Sequence, residues 1–217
     1  MDTTYIEDYS KLIIISYKLI ASNNSNIFLD HTIQAIMNVF HKTFSKDSKN
    51  NHQRSFFKLF LNLICDATRK EYDFNRDKVV SFYFVLAREF HKINPICYPN
   101  FSFALMELIS NRYFMPNLLE RYECWDAYYE LICDLFKFSR ENIPEEGLNE
   151  HLPCQIFYKG ILRIIIVLIH DFPDFLSAFS LQLCLHIPEK YIQIRNIVLS
   201  SYPRELKFRS PKTINNR

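Results

Sequence analysis

Glycine is almost missing from this sequence: two residues among 217, Gly147 and Gly160. Phosphate-cradling loops, dinucleotide-binding turns and primed hairpin turns all place glycine where the backbone takes a positive φ or touches a ligand. P-loop enzymes, Rossmann enzymes and all-β barrels are excluded on that ground. Proline is absent before residue 95, although nine occur from there on. Neither sign of charge dominates, with 26 Lys and Arg against 24 Asp and Glu. That balance is too even for a dedicated nucleic-acid binder. The longest apolar run, Ile161 to Ile169, is broken by Arg163 and falls short of the roughly 20 residues that span a bilayer. No membrane partner is expected. The first ten residues, MDTTYIEDYS, are acidic where a secretion signal is basic. These absences together predict a soluble, intracellular, all-helical chain.

What is present supports a packed core. Hydrophobic residues make up 48% of the chain, with 20 Phe and 13 Tyr, and a chain of this size buries roughly 70% of its unfolded surface. Apolar residues recur at intervals of three and four, as in Leu118, Leu119, Tyr122, Trp125, Tyr128, Tyr129, Ile132, Leu135 and Phe136. Prolines punctuate the second half. In the first half the polar clusters SNNSN (22–26), SKDSKNN (45–51) and YDFNRD (72–77) take that role. The pattern predicts helices over 4–21, 30–44, 52–70, 77–93, 99–111, 117–141, 154–171, 174–186 and 189–201. Short connections make successive helices pack antiparallel or steeply crossed, in a HEAT-like stack: an α-solenoid or helical-hairpin array with no repeat of fixed period. We expect one continuous domain, comprising 1–95, 96–203 and a basic, flexible tail at 204–217.

Chemistry-bearing residues do not assemble into a motif. Six cysteines, at 65, 97, 124, 133, 154 and 184, are best read as buried free thiols in a reducing compartment. The seven histidines are scattered. Of the closest mixed pairs, Cys184 with His186 has poor spacing for a metal, and His151 with Cys154, bracketing Pro153, could hold one only with ligands from elsewhere. Glu145 and Glu146 read as a solvated turn. No metal, cofactor or small-molecule substrate is expected, and no enzyme; a thiol enzyme would need an exposed cysteine of depressed pKa.

Two segments of the second half stand out. QIFYKGILRIIIVLIHDF (155–172) is apolar on almost every face, which predicts a centrally buried helix in which Arg163 needs either a partner from another helix or a route to the surface. In HDFPDF (170–175), Pro173 can open the next helix with Asp174 in its first turn. From His186 to Arg217, seven basic residues face two acidic ones. This end is read first as a solvated tail. The sharper alternative is RNA binding through Arg204, Lys207, Arg209 and Lys212, with Phe208 available for stacking. Arg195 and Asn196, on the polar side of the 189–201 helix, are read first as a solvated helix face and second as candidates for partner contact, as is Arg204.

The segments YPNFSFALMELISNRYFMPNLL, LICDLFKF, IFYKGILRIIIVLIHDFPDFL and IPEKYIQIRNIVLSSYPRELKFRSP occur in one order from Tyr98 onward. Together they resemble the C-terminal domain of the large scaffold subunit of the CCR–NOT deadenylase complex, the NOT-one family. Tyr158, Lys159, Gly160, Leu162 and Arg163 match a Y-K-G-x-L-R signature, and His170, Asp171, Phe172, Pro173 and Phe175 match H-D-F-P-x-F. Gln193, Arg195, Asn196, Ser200, Pro203 and Arg204 match the third family segment. Leu105 and Met106 stand in place of a W-L pair, and Asn111 replaces a histidine. The match covers about the last 120 residues, with the first 95 only compatible with it.

The resemblance implies a HEAT-like domain without an active site that docks the heterodimer of NOT-box subunits. It implies support for mRNA deadenylation, mRNA decay, translational repression and transcription regulation, in cytoplasm and nucleus. Tyr158, Lys159, Gly160, Arg163, His170, Asp171, Phe172, Pro173, Gln193 and Pro203 would then be framework residues. Because the family scaffold is far longer, a product of this length corresponds to about the first half of its docking domain.

Overall fold

A computed structural model describes residues 3–20, 22–46, 53–143 and 151–202. Among them are ten α-helices and no strand: α1 (Thr3–Leu19), α2 (Ser22–Lys46), α3 (Gln53–Asp66), α4 (Arg76–Lys92), α5 (Ser102–Ile109), α6 (Phe114–Leu119), α7 (Trp125–Asn142), α8 (Leu152–Asp171), α9 (Pro173–His186) and α10 (Ile192–Ser200). Short 3-10 turns sit at Lys70–Tyr72, Pro99–Phe101 and Tyr122–Cys124. Packing follows a two-layer order, with α1 on α3, α2 on α4, α3 on α5, α4 on α6 and α7, and α7 on α9. The helices α8, α9 and α10 then pack on one another and close one end of the stack.

Local chemistry sets several boundaries. Asn75 opens α4 by accepting a hydrogen bond from the Asp77 amide at 3.3 Å, and Asp77 lies in the first turn where the helix dipole favours an anion. Before it, Asp73 takes the left-handed conformation (φ 45°). It is the one described residue with positive φ, at a turn where glycine is the usual choice but Asp is tolerated. Pro173 occupies the first turn of α9, where its missing N–H costs nothing, and Phe172 before it is non-helical (φ −133°, ψ 54°).

The core is one apolar cluster running from Ile13 in α1 to Val198 in α10. Phe40, Phe60, Phe90, Phe101 and Phe114 are fully buried and meet edge to face or tilted along the stack. Buried tyrosines tie helices to neighbouring carbonyls: Tyr83 donates to Ile64 O at 2.8 Å and Tyr128 to Ile109 O at 3.1 Å. Buried Asp66 accepts from Ser10 at 2.7 Å and pairs with Arg69 at 2.8 Å, which locks α1 onto α3.

The helices depart from the sequence expectation in four respects, three of them boundaries. The SNNSN cluster lies inside α2, which starts at Ser22, because a Ser or Asn inside a helix costs only about 0.5 kcal/mol and does not break it. The helix expected over 52–70 ends at Asp66. The helix expected over 117–141 is two: α6 ends at Leu119, Arg121 is extended, and the Trp125 indole donates back to Leu119 O at 2.8 Å. The fourth difference concerns α8. It is not centrally buried: Phe157, Ile161, Ile164, Ile165 and Leu168 face the core, while Leu152, Ile156, Ile166 and Val167 face outward. By length and composition alone α8 could cross a bilayer, which the broken apolar run did not suggest. In the fold its inner face packs on α5, α9 and α10. The 45–51 cluster lies largely, and the 204–217 tail entirely, outside the described residues.

Candidate partner-binding surface

The three last helices place the family-motif residues. Tyr158 on α8 donates to Gln193 Oε1 on α10 at 3.1 Å, and its ring meets the buried Tyr191 edge to face at 4.8 Å. Burial pushes the Tyr158 hydroxyl above its ordinary pKa and that of Tyr191 up to about 12, so both stay protonated. Tyr158 and Gln193 therefore join α8 to α10. Gly160 lets α5 approach α8, because the Met106 thioether lies over it: a Cβ built there would stand 2.4 Å from the Met106 methyl carbon. Asp171 ends α8 and pairs with His170 at 2.5 Å, both outside the core.

Arg195 does not lie on a solvated face as its polar surroundings suggested. It is half-buried and donates to Cys184 O at 3.2 Å and Ile187 O at 2.8 Å. Arg140, from α7, donates to Leu185 O at 2.9 Å and His186 O at 3.0 Å. Two guanidinium groups thus satisfy four consecutive carbonyls at the end of α9, where a helix leaves acceptors orphaned and where its dipole favours cations. Lys190 does the same for Ile143 O beyond α7. These groups wall an open cleft of about 720 Å³ whose cations are engaged with main chain. Asn196 remains exposed, and Arg204 and Pro203 lie outside the described residues. Arg140 carried no signal in the sequence, since its partners sit 45 and 46 positions further on.

Arg163 and Lys159 are exposed and make no ion pair with any described residue, so of the two fates expected for Arg163 the structure shows the route to the surface. Arg163 borders a second cleft of about 410 Å³ between α5 and α8. Its floor is Met106, Met115 and Ile164, its rim includes Phe103 and Val167, and Glu107 stands on the α5 wall without an ion pair to any described residue.

No group of three metal-ligating side chains occurs among the described residues. All six cysteines are unpaired: Cys124 and Cys133 are buried, Cys65, Cys154 and Cys184 half-buried, and Cys97 exposed, contrary to the uniformly buried set expected. Burial pushes the Cys124 thiol up to about 11 and that of Cys133 up to about 12, far from a thiolate nucleophile at neutral pH.

Comparison with known proteins agrees with the motif series and extends it. The family model described as "CCR4-Not complex component, Not1" matches residues 64–217. The general negative regulator of transcription subunit 1 of Schizosaccharomyces pombe is 31% identical over 193 residues, which is 87% of this chain and 9% of that protein. Its Saccharomyces cerevisiae counterpart is 28% identical over 198 residues, again spanning 9% of that protein. The chain therefore spans about a tenth of the length of these curated relatives. The solved NOT1 superfamily homology domain from Chaetomium thermophilum superposes with a TM-score of 0.81 at 25% identity, covering 96% of this chain and 41% of that one. A Not1 C-terminal domain in complex with Not4 superposes at 0.74 with 27% identity, covering 98% and 44%. Similarity thus reaches well before Tyr98, where the motifs began. The chain belongs to the Not1 family of CCR4–Not complex components, whose members are scaffold subunits.

Proposed function

We propose that this chain is a non-catalytic scaffold domain that docks protein subunits of the CCR–NOT complex, the NOT-box heterodimer first among them. Through that assembly it supports mRNA deadenylation, mRNA decay, translational repression and transcription regulation. The observation that carries this reading is membership of the Not1 family over most of the chain, joined to a surface made of helix faces and shallow clefts. The relative solved with Not4 supports a protein partner for this helical surface.

A pull-down decides it: the immobilised full chain retains a purified NOT-box heterodimer above an unrelated helical protein, and retention equal to that control refutes the docking role. The same reading puts the chain in cytoplasm and nucleus, which a fluorescent fusion in living cells checks. Confinement to any other compartment would contradict it.

A further inference from the structure

The exposed face of α8 combines apolar and cationic side chains in one stripe. Leu152, Ile156, Lys159, Arg163, Val167 and His170 recur at intervals of three and four and lie on one side of the helix. The stripe runs for about 27 Å at 1.5 Å per residue. Leu152 is 65% exposed and Ile156 48%, so aliphatic surface that normally seeks a partner faces water along most of the helix. The cleft between α5 and α8 opens beside the middle of this stripe, with thioethers of Met106 and Met115 in its floor. Methionine-lined clefts adapt to different apolar side chains.

Charge says what fits there. The α8 wall carries two cations, Lys159 and Arg163, neither in an ion pair with a described residue, while His170 further along is hydrogen-bonded with Asp171. The opposite wall carries a single carboxylate, Glu107, which forms no ion pair with Arg163. The groove is positive at Lys159 and Arg163 on α8 and negative at Glu107 on α5, with the Asp171 carboxylate at the far end of α8. By contrast, the exposed stripe of α1 (Tyr5, Tyr9, Leu12, Leu19) mixes Asp8 with Lys11 and Lys18 and favours neither sign.

We infer that the α8 face is a docking site for an amphipathic helix of a separate partner polypeptide, one whose apolar stripe is edged by Asp or Glu. One large apolar side chain enters the Met106–Met115 cleft, the stripe lies along Ile156 and Val167, and the acidic edge faces Lys159 and Arg163. Glu107 turns away the reverse orientation, because it would meet the acidic edge with like charge. This rests on the scaffold reading above and names the kind of partner segment and the place where it binds.

The test uses two synthetic 18-residue helices with the same leucine stripe, one edged by Glu and the other by Lys, titrated by fluorescence anisotropy against the full chain. The Glu-edged helix is expected to bind at least tenfold tighter, with affinity falling as salt rises. Arg163→Glu is expected to erase or reverse the preference, and Val167→Glu to weaken both probes. Both positions are exposed, and circular dichroism confirms that each variant folds. Lys159→Glu, expected to act as Arg163→Glu does, serves as a second surface variant. Equal affinity for the two helices, no binding of the Glu-edged helix, or binding untouched by Arg163→Glu overturns the inference. So does self-association of the wild type that Val167→Glu abolishes, which would make a second copy the occupant. Preferential capture by phosphatidylserine vesicles would equally overturn it in favour of a membrane. If the NOT-box heterodimer is retained equally by wild type and by the Arg163→Glu/Val167→Glu double variant, this inference falls and the scaffold reading stands. If the wild type retains no heterodimer, the scaffold reading falls and the two peptides still decide this one.

Discussion

Replacing Arg195 with alanine should destabilise the domain through a helix it does not belong to. Its guanidinium holds Cys184 O and Ile187 O at 3.2 and 2.8 Å. A hydrogen bond to a charged group is worth about 1.5–3 kcal/mol. The cleft beside α9 is open, so water can replace part of what is lost, and Arg140 still serves the two carbonyls between. A net loss of about 2 kcal/mol follows, including about 0.5 kcal/mol for removing a cation from a helix C-terminus. For a chain of this size, each kcal/mol lowers Tm by about 2–4 °C, so Arg195→Ala should melt about 4–8 °C below wild type. Arg195→Lys restores the charge but not the two-pronged donor, and should recover roughly half. The neighbouring Asn196→Ala, on the exposed face, should stay within about 0.5 kcal/mol of wild type. Thermal unfolding followed by circular dichroism measures all three. An Arg195→Ala variant within 1 °C of wild type, or a lysine as good as arginine, would refute the capping argument.

Three further outcomes are expected. Burial first, then Lys137 and Arg140, hold the His186 pKa below its ordinary 6.5. The unfolded chain therefore binds that proton first, and stability falls as pH drops from about 6.5 towards the lower folded value. Denaturant titrations between pH 7 and 5 should show this loss in wild type and a smaller one in His186→Gln. Gly160→Ala removes a helix penalty of about 1 kcal/mol but drives a Cβ into the Met106 thioether. It should therefore be more stabilising in a Met106→Ala background than in wild type, by on the order of 1 kcal/mol in a double-mutant cycle. Under limiting alkylation of the native protein, mass spectrometry should find Cys97 labelled first while buried Cys124 and Cys133 remain unlabelled.

The sequence made the class of fold legible because helical spacing and proline placement are local signals. The start of α9 at Pro173 was legible for the same reason: the proline and Asp174 act within one turn. What was not legible depends on contacts from far along the chain. The apolar period runs without interruption from Leu118 to Phe136, yet the chain bends at Arg121, because Trp125 reaches back to the end of α6. Polar composition at 22–26 looked like a break, although only a competing local bond or a proline would have made it one. An all-round apolar α8 looked buried because composition records what a helix could cover and not what is there to cover it. With the outer face of α8 in solvent, Arg163 takes the route to the surface that its sequence context left open.

The scarcity of glycine also explains Arg195. Helices commonly end on a glycine in the left-handed conformation, whose amide, with the next one, satisfies the last carbonyls. No described glycine takes a positive φ, and only Asp73 does so among other residues. The other helix ends must therefore find donors elsewhere, and the stack supplies them across its layers. Arg140 from α7 and Arg195 from α10 converge on the end of α9, and Lys190 reaches the carbonyl of Ile143 just beyond α7. A glycine cap belongs to its own helix and would close it whether or not neighbours were present. These caps exist only when α7, α9 and α10 are already together, so each helix end is satisfied by the act of packing. The chain thus exchanges local helix termination for termination that depends on tertiary structure. One consequence separates the two: in Arg140→Ala/Arg195→Ala, amide exchange should rise first in the last turn of α9 and in α10, while the Phe40–Phe60–Phe90 end keeps its protection. Exchange rising uniformly along the stack would mean that the arginines contribute only to the global folding equilibrium, and that α9 ends where it does for another reason.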